Sequence, residues 1–367
     1  MASTYNVAVI GTGFAERVQL PGFQRHPRFN LVALAARDPE GTRSAAERFA
    51  IARWYTDWRE MLGEGGIDLL CITTPPHLHY EMTMAAFDAG MHVLCEKPIA
   101  LNTEEARQMV ARAHETGLTA MIDHEFRYLP ARQRFGELVQ AGYIGELRRL
   151  VFRLHEGWRS DPTRAWNWWS DLSKGGGMLG AIGSHYYDAF RHWFGREPER
   201  IWGKLSAFVA ERPGAEGEEA QRVTADDSFL AVLALAGGAE VLFDFTSTGN
   251  PGPGTTVTAM GSQGTLVMED DKRLLGAQGP SELQPLELSE LPREEGEQWL
   301  LAPFVRLLDE LVRGMDEGIS PSPNLEDGLA HQQFIDAVRI SSALGSWVNF
   351  PPAEHGPDGV LPGQSTK

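Results

Sequence analysis

Apolar residues along the first third of the chain come in short, almost uninterrupted runs, at 5–10, 31–36, 67–72, 91–95 and 119–122. A strand with one wet face alternates apolar and polar residues, so runs without alternation predict strands buried on both faces of a parallel sheet. Between the runs the period lengthens. Residues 80–89 end on Gly90, and the segment after Asn102 carries Glu105 at capping-box spacing, buries Met109, Val110 and Ala113, and stops at Gly117. Those are helix start and stop signals. Alternating strand and helix predict a doubly wound α/β Rossmann domain, set at residues 1–125.

From residue 126 onward the pattern changes to strands that alternate, at 147–154, 200–209, 228–235, 239–245, 255–260 and 264–269, with tight connections at Gly237-Gly238 and across 261–264. This predicts a second, largely antiparallel sheet. The acidic, proline-bearing stretch 280–298 reads as an exposed loop, and amphipathic patterns at 299–315 and 325–344 read as helices packed on a domain face. The second domain is set at 126–350. From 351 the chain is rich in Pro and Gly and has little to bury, which predicts a tail of low order over 351–367.

Composition adds exclusions. A chain of 367 residues has room for two cores, and a net charge of -17 opposes any general attraction to nucleic acid or acidic lipid. No run approaches the roughly 20 apolar residues of a membrane span, and residues 1–6 carry no basic leader, so a cytoplasmic protein is expected. Cys71 and Cys95 each end an apolar run and read as reduced, buried thiols. A metal site is not expected: His77 and His79 lie close together, but nothing near them has ligand spacing.

Directly after the first strand stands Gly11-Thr12-Gly13-Phe14-Ala15-Glu16, the first two glycines of a dinucleotide fingerprint with Glu16 where the third belongs. Gly11 permits the tight turn, and Gly13 lets backbone N–H groups approach a pyrophosphate. The second strand ends in Ala35-Ala36-Arg37-Asp38. An arginine there accommodates a 2′-phosphate, so NADP is favoured over NAD. The alternatives are that Arg37 is a solvated charge or pairs with Asp38, and that Asp38 itself reaches the ribose of NAD.

Three further segments are more specific: Thr73-Thr74-Pro75-Pro76-His77-Leu78-His79, then Glu96-Lys97-Pro98 after an apolar strand, then Gly175-Gly176-Gly177 leading to His185 and Asp188. In this order and spacing the chain resembles the glucose-fructose oxidoreductase / inositol dehydrogenase / MocA family from residue 6 to about 350. The Phe126-Arg127-Tyr128-Leu129-Pro130 run adds to the likeness. The resemblance implies a Rossmann domain followed by an open-faced sheet domain, association into homodimers or homotetramers, and hydride transfer between NAD(P) and a carbohydrate-like small molecule. It implies that Lys97 sits beside the nicotinamide and binds the reacting oxygen, that Glu96 approaches the ribose, and that the bond before Pro98 is cis. Thr73, Thr74, Pro75 and His79 match the loop lining the adenosine and ribose side, with Pro76 in place of the usual asparagine, and Arg127 counts with the cofactor residues.

Lys97 and His185 are the expected catalytic pair. A secondary alcohol must lose its hydroxyl proton as hydride leaves, and either group can take it. The family aspartate four residues before the histidine is Ala181 here, and Asp188 follows His185 at helical spacing. Substrate candidates are Lys97, Tyr128, Arg159, Trp166 and His185, with Trp168 and Trp169 reading equally as sugar-facing aromatics or as core. Two other activities fit the same residues. One is a glycosidase or epimerase using NAD transiently, and the other is a cofactor-binding regulator without turnover, to which Ala181 points.

Overall fold

Uninterrupted apolar runs do become the strands of a parallel sheet. The structure is a computed structural model describing residues 4–214, 219–292 and 296–352. These fall into two compact units, the first comprising 1–128 with 291–330 and the second 129–290 with 331–367, within the described residues. In the first unit β1 (Tyr5–Ile10), β2 (Phe29–Ala35), β3 (Arg53–Tyr55), β4 (Leu69–Ile72), β5 (His92–Cys95) and β6 (Ala120–Ile122) form one sheet in the order β3-β2-β1-β4-β5-β6. Every pairing is parallel. This is the Rossmann order.

The first connections are α1 (Gln19–Arg25), α2 (Pro39–Arg48) and α3 (Trp58–Glu64). They are followed by α4 (His79–Asp88) and α5 (Thr103–Thr116). Alternate residues of the same strand serve opposite cores: Val7 and Val9 of β1 pack on one side, Ala8 and Ile10 on the other. Helix α5 starts as its capping box predicts, Asn102 Oδ1 accepting from the Glu105 N–H at 2.9 Å, and ends on Gly117 at φ 65°.

In the second unit α6 (Pro130–Gln140) precedes β7 (Leu147–His155), and α7 (Ser184–Phe194) precedes β8 (Arg200–Ser206). The short β9 (Glu211–Arg212) and β10 (Gln221–Arg222) pair with each other. Then come β11 (Ser228–Ala234), β12 (Glu240–Thr246), β13 (Gly254–Gly261), β14 (Gly264–Glu269), β15 (Arg273–Gln278) and β16 (Gln284–Pro285). With β17 (Val348–Asn349) they form a nine-stranded sheet, β16-β15-β14-β13-β7-β12-β11-β8-β17, antiparallel except between β7 and β12. Leu150, Phe152, Val241, Phe243, Phe245 and Phe229 fill its covered face. Its other face carries Leu230, which is 41% exposed, and the half-buried Val151, Val232 and Leu242.

Two helices come late in the chain, α8 (Leu301–Glu317) and α9 (Leu325–Leu344). Helix α8 belongs to the first unit: Phe304, Leu307, Leu308 and Leu311 join the core beneath α1. Gly22 allows that approach, since a Cβ there would collide with the Phe304 ring. Periodicity predicted the helix but does not say which surface it covers. Helix α9 begins in the first unit and continues from His331 in the second, where Phe334 stacks on Tyr187 with ring centroids 4.4 Å apart. Both cysteines are free and buried. Among the described residues no helix is long and apolar enough to cross a membrane. The tail expected at 351–367 lies, from residue 353, outside the described residues.

Candidate active site

The strands β1, β4, β5 and β6 are neighbours in the parallel sheet, so the loops leaving their C-terminal ends open side by side. Ligands of open α/β sheets bind at such ends. After β1, Gly11 adopts φ +107°, and a Cβ there would lie 2.5 Å from Thr73 Oγ1. Thr73, after β4, donates to the Ile10 carbonyl from both its N–H (2.9 Å) and its Oγ1 (2.8 Å). The two loops are thereby locked together. Gly13 is exposed, with nothing within 4 Å of a Cβ built on it. The N–H groups of Thr12, Gly13, Phe14 and Ala15 donate to no acceptor among the described residues. Consecutive unpaired amides around an open glycine form a cradle suited to an anion.

Arg37 is exposed and makes no ion pair or hydrogen bond among the described residues. Asp38 behaves differently. It caps α2, its carboxylate accepting from the Gly41 N–H at 3.2 Å. Glu16, at the missing third glycine, points to Arg48 at 2.6 Å.

The Glu96-Lys97-Pro98 segment leaves β5 with a cis bond before Pro98. His79 is fully buried, its Nδ1 2.9 Å from the Pro98 carbonyl and its Nε2 2.8 Å from that of Thr74. It ties the loop after β4 to the loop after β5, and burial lowers its pKa to about 4. Lys97 is half-buried. Glu96 accepts from the Lys97 N–H at 3.2 Å through Oε2 and from Gln19 Nε2 at 2.8 Å through Oε1. The same Gln19 nitrogen donates to Asp123 Oδ2 at 2.9 Å. Asp123 and Glu125, just after β6, are 1% and 2% exposed. Burial raises the pKa of Glu96, Asp123 and Glu125, that of Glu125 to about 8, while Lys97 opposes the rise in each. Arg127 lies in the same unit, turned to Ser322 Oγ at 2.6 Å and Asp327 at 3.3 Å, and Tyr128 packs against the core.

In the second unit the glycine-rich segment runs into a π-helical turn, Leu179–Gly183, that continues as α7. Such turns are rare and often mark functional positions. Ala181 sits in the turn, 4% exposed, and His185 and Asp188 follow on α7, each 2% exposed. Asp226 holds the turn by accepting from the Leu179 N–H at 2.8 Å, and Gly177, at φ +111°, leaves room for that carboxylate. Burial raises Asp226 to about 6. Arg159 is 5% exposed, stacks on Trp169 at 5.0 Å and donates to Ser170 Oγ at 3.2 Å. Its pKa falls to about 10, through burial first and then through Arg212 and Arg164. The Thr224 and Ala225 N–H groups donate to the Ser170 carbonyl, and the Met178 N–H to that of Asp226. Residues 224–226 therefore join Arg159's surroundings to the π turn. Trp166 donates to the Arg222 carbonyl at 3.2 Å and stands under Lys174 at 4.9 Å.

Sequence comparison matches residues 5–124 to the oxidoreductase family with an NAD-binding Rossmann fold, Gfo/Idh/MocA, and residues 133–267 to the C-terminal domain of the same family. An uncharacterized oxidoreductase of Synechocystis is 33% identical over 94% of this chain and 96% of its own length. The chain belongs to the Gfo/Idh/MocA family. It is an NAD-binding oxidoreductase. Levoglucosan dehydrogenase of Pseudarthrobacter phenanthrenivorans is 27% identical over 94% of this chain and 98% of its own. A structure of levoglucosan dehydrogenase with NADH and levoglucosan superposes with a TM-score of 0.86 at 26% identity, covering 95% of this chain and 100% of that one. An oxidoreductase domain protein from Kribbella flavida gives 0.84 at 28% identity, covering 95% and 99%.

Set against that family, four buried polar residues stand out that sequence reading passed over: Gln19, Asp123, Glu125 and Asp226. A signal existed for two of them. Asp123-His124-Glu125 puts three ionisable residues directly after an apolar strand, where a buried loop is costly unless it is used. Gln19 and Asp226 gave none, because their partners are distant in sequence. The first unit fits a dinucleotide: the amide cradle at 12–15 is open, and Gly11 and Thr73 fix its base.

Proposed function

We propose that this oxidoreductase transfers a hydride between NADP or NAD and a hydroxyl or carbonyl carbon of a sugar, cyclitol or related compound. The carrying observation is that the amide cradle after β1 and the Glu96-Lys97-Pro98 segment after β5 open from strand ends of one parallel sheet with β4 between them. Thr12, Gly13, Phe14 and Ala15 would hold the pyrophosphate with Gly11 and Thr73 beneath it, and the dinucleotide supplies the hydride-accepting ring. Thr74, Pro75, His79, Glu96 and Arg127 complete that side, His79 by holding the backbone at Thr74 and Pro98 and Arg127 through the side chains of Ser322 and Asp327. Lys97 binds the reacting oxygen and exchanges its proton. His185 is the second proton-handling group, and Arg159, Trp166 and Tyr128 favour a polyhydroxylated ligand. Similarity to an enzyme crystallised with levoglucosan, and with L-sorbose, supports the sugar class.

NADP is the preferred cofactor on this reading. Asp38 is spent on capping α2, while Arg37 is exposed and unpaired among the described residues. The open sheet face with Leu230, Val232 and Leu242 supports a homodimer or homotetramer. The test is reduction of NADP and NAD over a panel of levoglucosan, L-sorbose, inositols and aldoses, with light scattering for assembly. Reduced cofactor accumulating with at least one member is expected. Release of a hydrolysed or epimerised product without reduced cofactor would move the assignment to transient hydride transfer.

A further inference from the structure

The buried acids behind Lys97 pose a hydrogen-bond problem. Gln19 Nε2 is the donor for Glu96 Oε1 and Asp123 Oδ2, and that leaves Gln19 Oε1, Asp123 Oδ1 and Glu125 Oε2 buried without a partner. All three are acceptors. Asp123 and Glu125 stand two residues apart and are both buried, where burial and mutual repulsion oppose ionising the two together. The missing donor is a proton.

We propose that Asp123 and Glu125 hold one proton between them and that the pair, joined through Gln19 to Glu96, is a positioning and charge-setting element for Lys97. Uptake or release of that proton changes the charge facing the Lys97 ammonium while leaving its backbone where β5 puts it. The proposal rests on the reading of Lys97 as the proton-exchanging residue. The groups acting on the pair are Glu96 and Lys97 after β5, with Cys71 in β4 and Cys95 in β5, whose thiols burial keeps neutral. His124, fully buried, lies between the two acids in the chain. Lys97 is a cation whose charge acts on both acids. Interacting acids release protons in steps that belong to the set, so a step near pH 8 is assigned to the pair and not to Glu125 alone.

The test needs no substrate. The chain has five lysines, Lys97, Lys174, Lys204, Lys272 and Lys367, so the full-length protein labelled with 13C at lysine Cε gives few signals, and Lys97→Arg identifies the one that matters. In the unsubstituted protein the Lys97 signal is expected to move in two steps as pH rises, the first near 8 from the carboxyl pair and the second from the lysine itself. Glu125→Gln cannot ionise. It should abolish the first step. Asp123→Asn should do the same, and serves if Glu125→Gln does not fold. Gln19→Leu should broaden or displace the first step by breaking the bridge. A single step in the unsubstituted protein, unchanged in either acid variant, overturns the proposal. If both steps appear but Lys97→Met turns over normally, the coupling stands and the assignment of Lys97 to the chemistry falls.

Discussion

Asp226 and Asp227 in the second unit, and Asp123 and Glu125 in the first, are all nearly closed to solvent, yet they are bonded in different ways. Asp226 accepts from the Leu179 N–H, and Asp227 accepts from the N–H groups of Phe208 (2.8 and 3.0 Å) and Val209 (2.9 Å). Backbone donors are fixed and cannot be withdrawn, so these carboxylates fasten chain to chain. Asp123 accepts from a side-chain amide, that of Gln19, it and Glu125 each keep a buried oxygen without a partner, and the charges of Glu96 and Lys97 act on both. Burial alone does not identify a working acid. Who donates to it does: backbone amides make it a fastener, and a shortage of donors makes it hold a proton.

The sharpest way to break this contrast is to remove the cation that the first set faces. Lys97→Met should cut turnover about 10²- to 10⁴-fold with cofactor affinity little changed, the scale of a positioned acid-base group. His185→Ala should do likewise. Single-turnover cofactor reduction together with cofactor titration separates the two effects, and turnover surviving both substitutions would remove these residues from the chemistry. Next in size is a fastener. Asp227→Ala strands buried N–H groups and should cost roughly 1–3 kcal/mol of stability, seen as a lower melting temperature by a similar amount at every pH between about 6 and 9. A change confined to one end of that range would place Asp227 with the proton-holding acids instead.

At the exposed edge the same logic gives a smaller effect. Asp38 is a fastener at the start of α2, which leaves Arg37 as the charge available to a 2′-phosphate. NADP should bind about tenfold more tightly than NAD, and Arg37→Ala should erase the difference, since a guanidinium grips a phosphate in two places and a hydroxyl weakly. Equal affinities in the unsubstituted protein, by calorimetry, would contradict this.

Much of the fold was legible because burial on both faces leaves a direct imprint on sequence: β1 and α9 have the bounds that periodicity gives them, and the Asn102 cap is present as predicted. The strand β3 was not, being three residues long with Trp54 40% exposed. Nor was the surface that α8 covers, because an amphipathic stripe states that a face is buried and not against what. At the site, Gly11 and the Glu96-Lys97-Pro98 segment announce themselves through local backbone demands. Gln19 and Asp226 act through partners 47 to 104 residues away, and no local pattern records such a pairing.

The smallest expected effect decides most directly between fastener and proton holder. Glu125 has its folded-state pKa raised, from 4.5 to about 8. The folded state therefore binds this proton more tightly than the unfolded chain, and the stability so gained is complete below the unfolded value and is lost as pH rises through about 8. Between those limits the unsubstituted protein should lose stability with rising pH, in a step shared with Asp123. Glu125→Gln carries the neutral form at every pH. It should match the unsubstituted protein near pH 5 and exceed it near pH 9, in the opposite sense to Asp227→Ala, which is weaker throughout. Paired melting curves for the three proteins at both pH values measure it. If Glu125→Gln is destabilised as much near pH 9 as near pH 5, Glu125 is a fastener like Asp227, and the difference between the two sets of buried acids disappears.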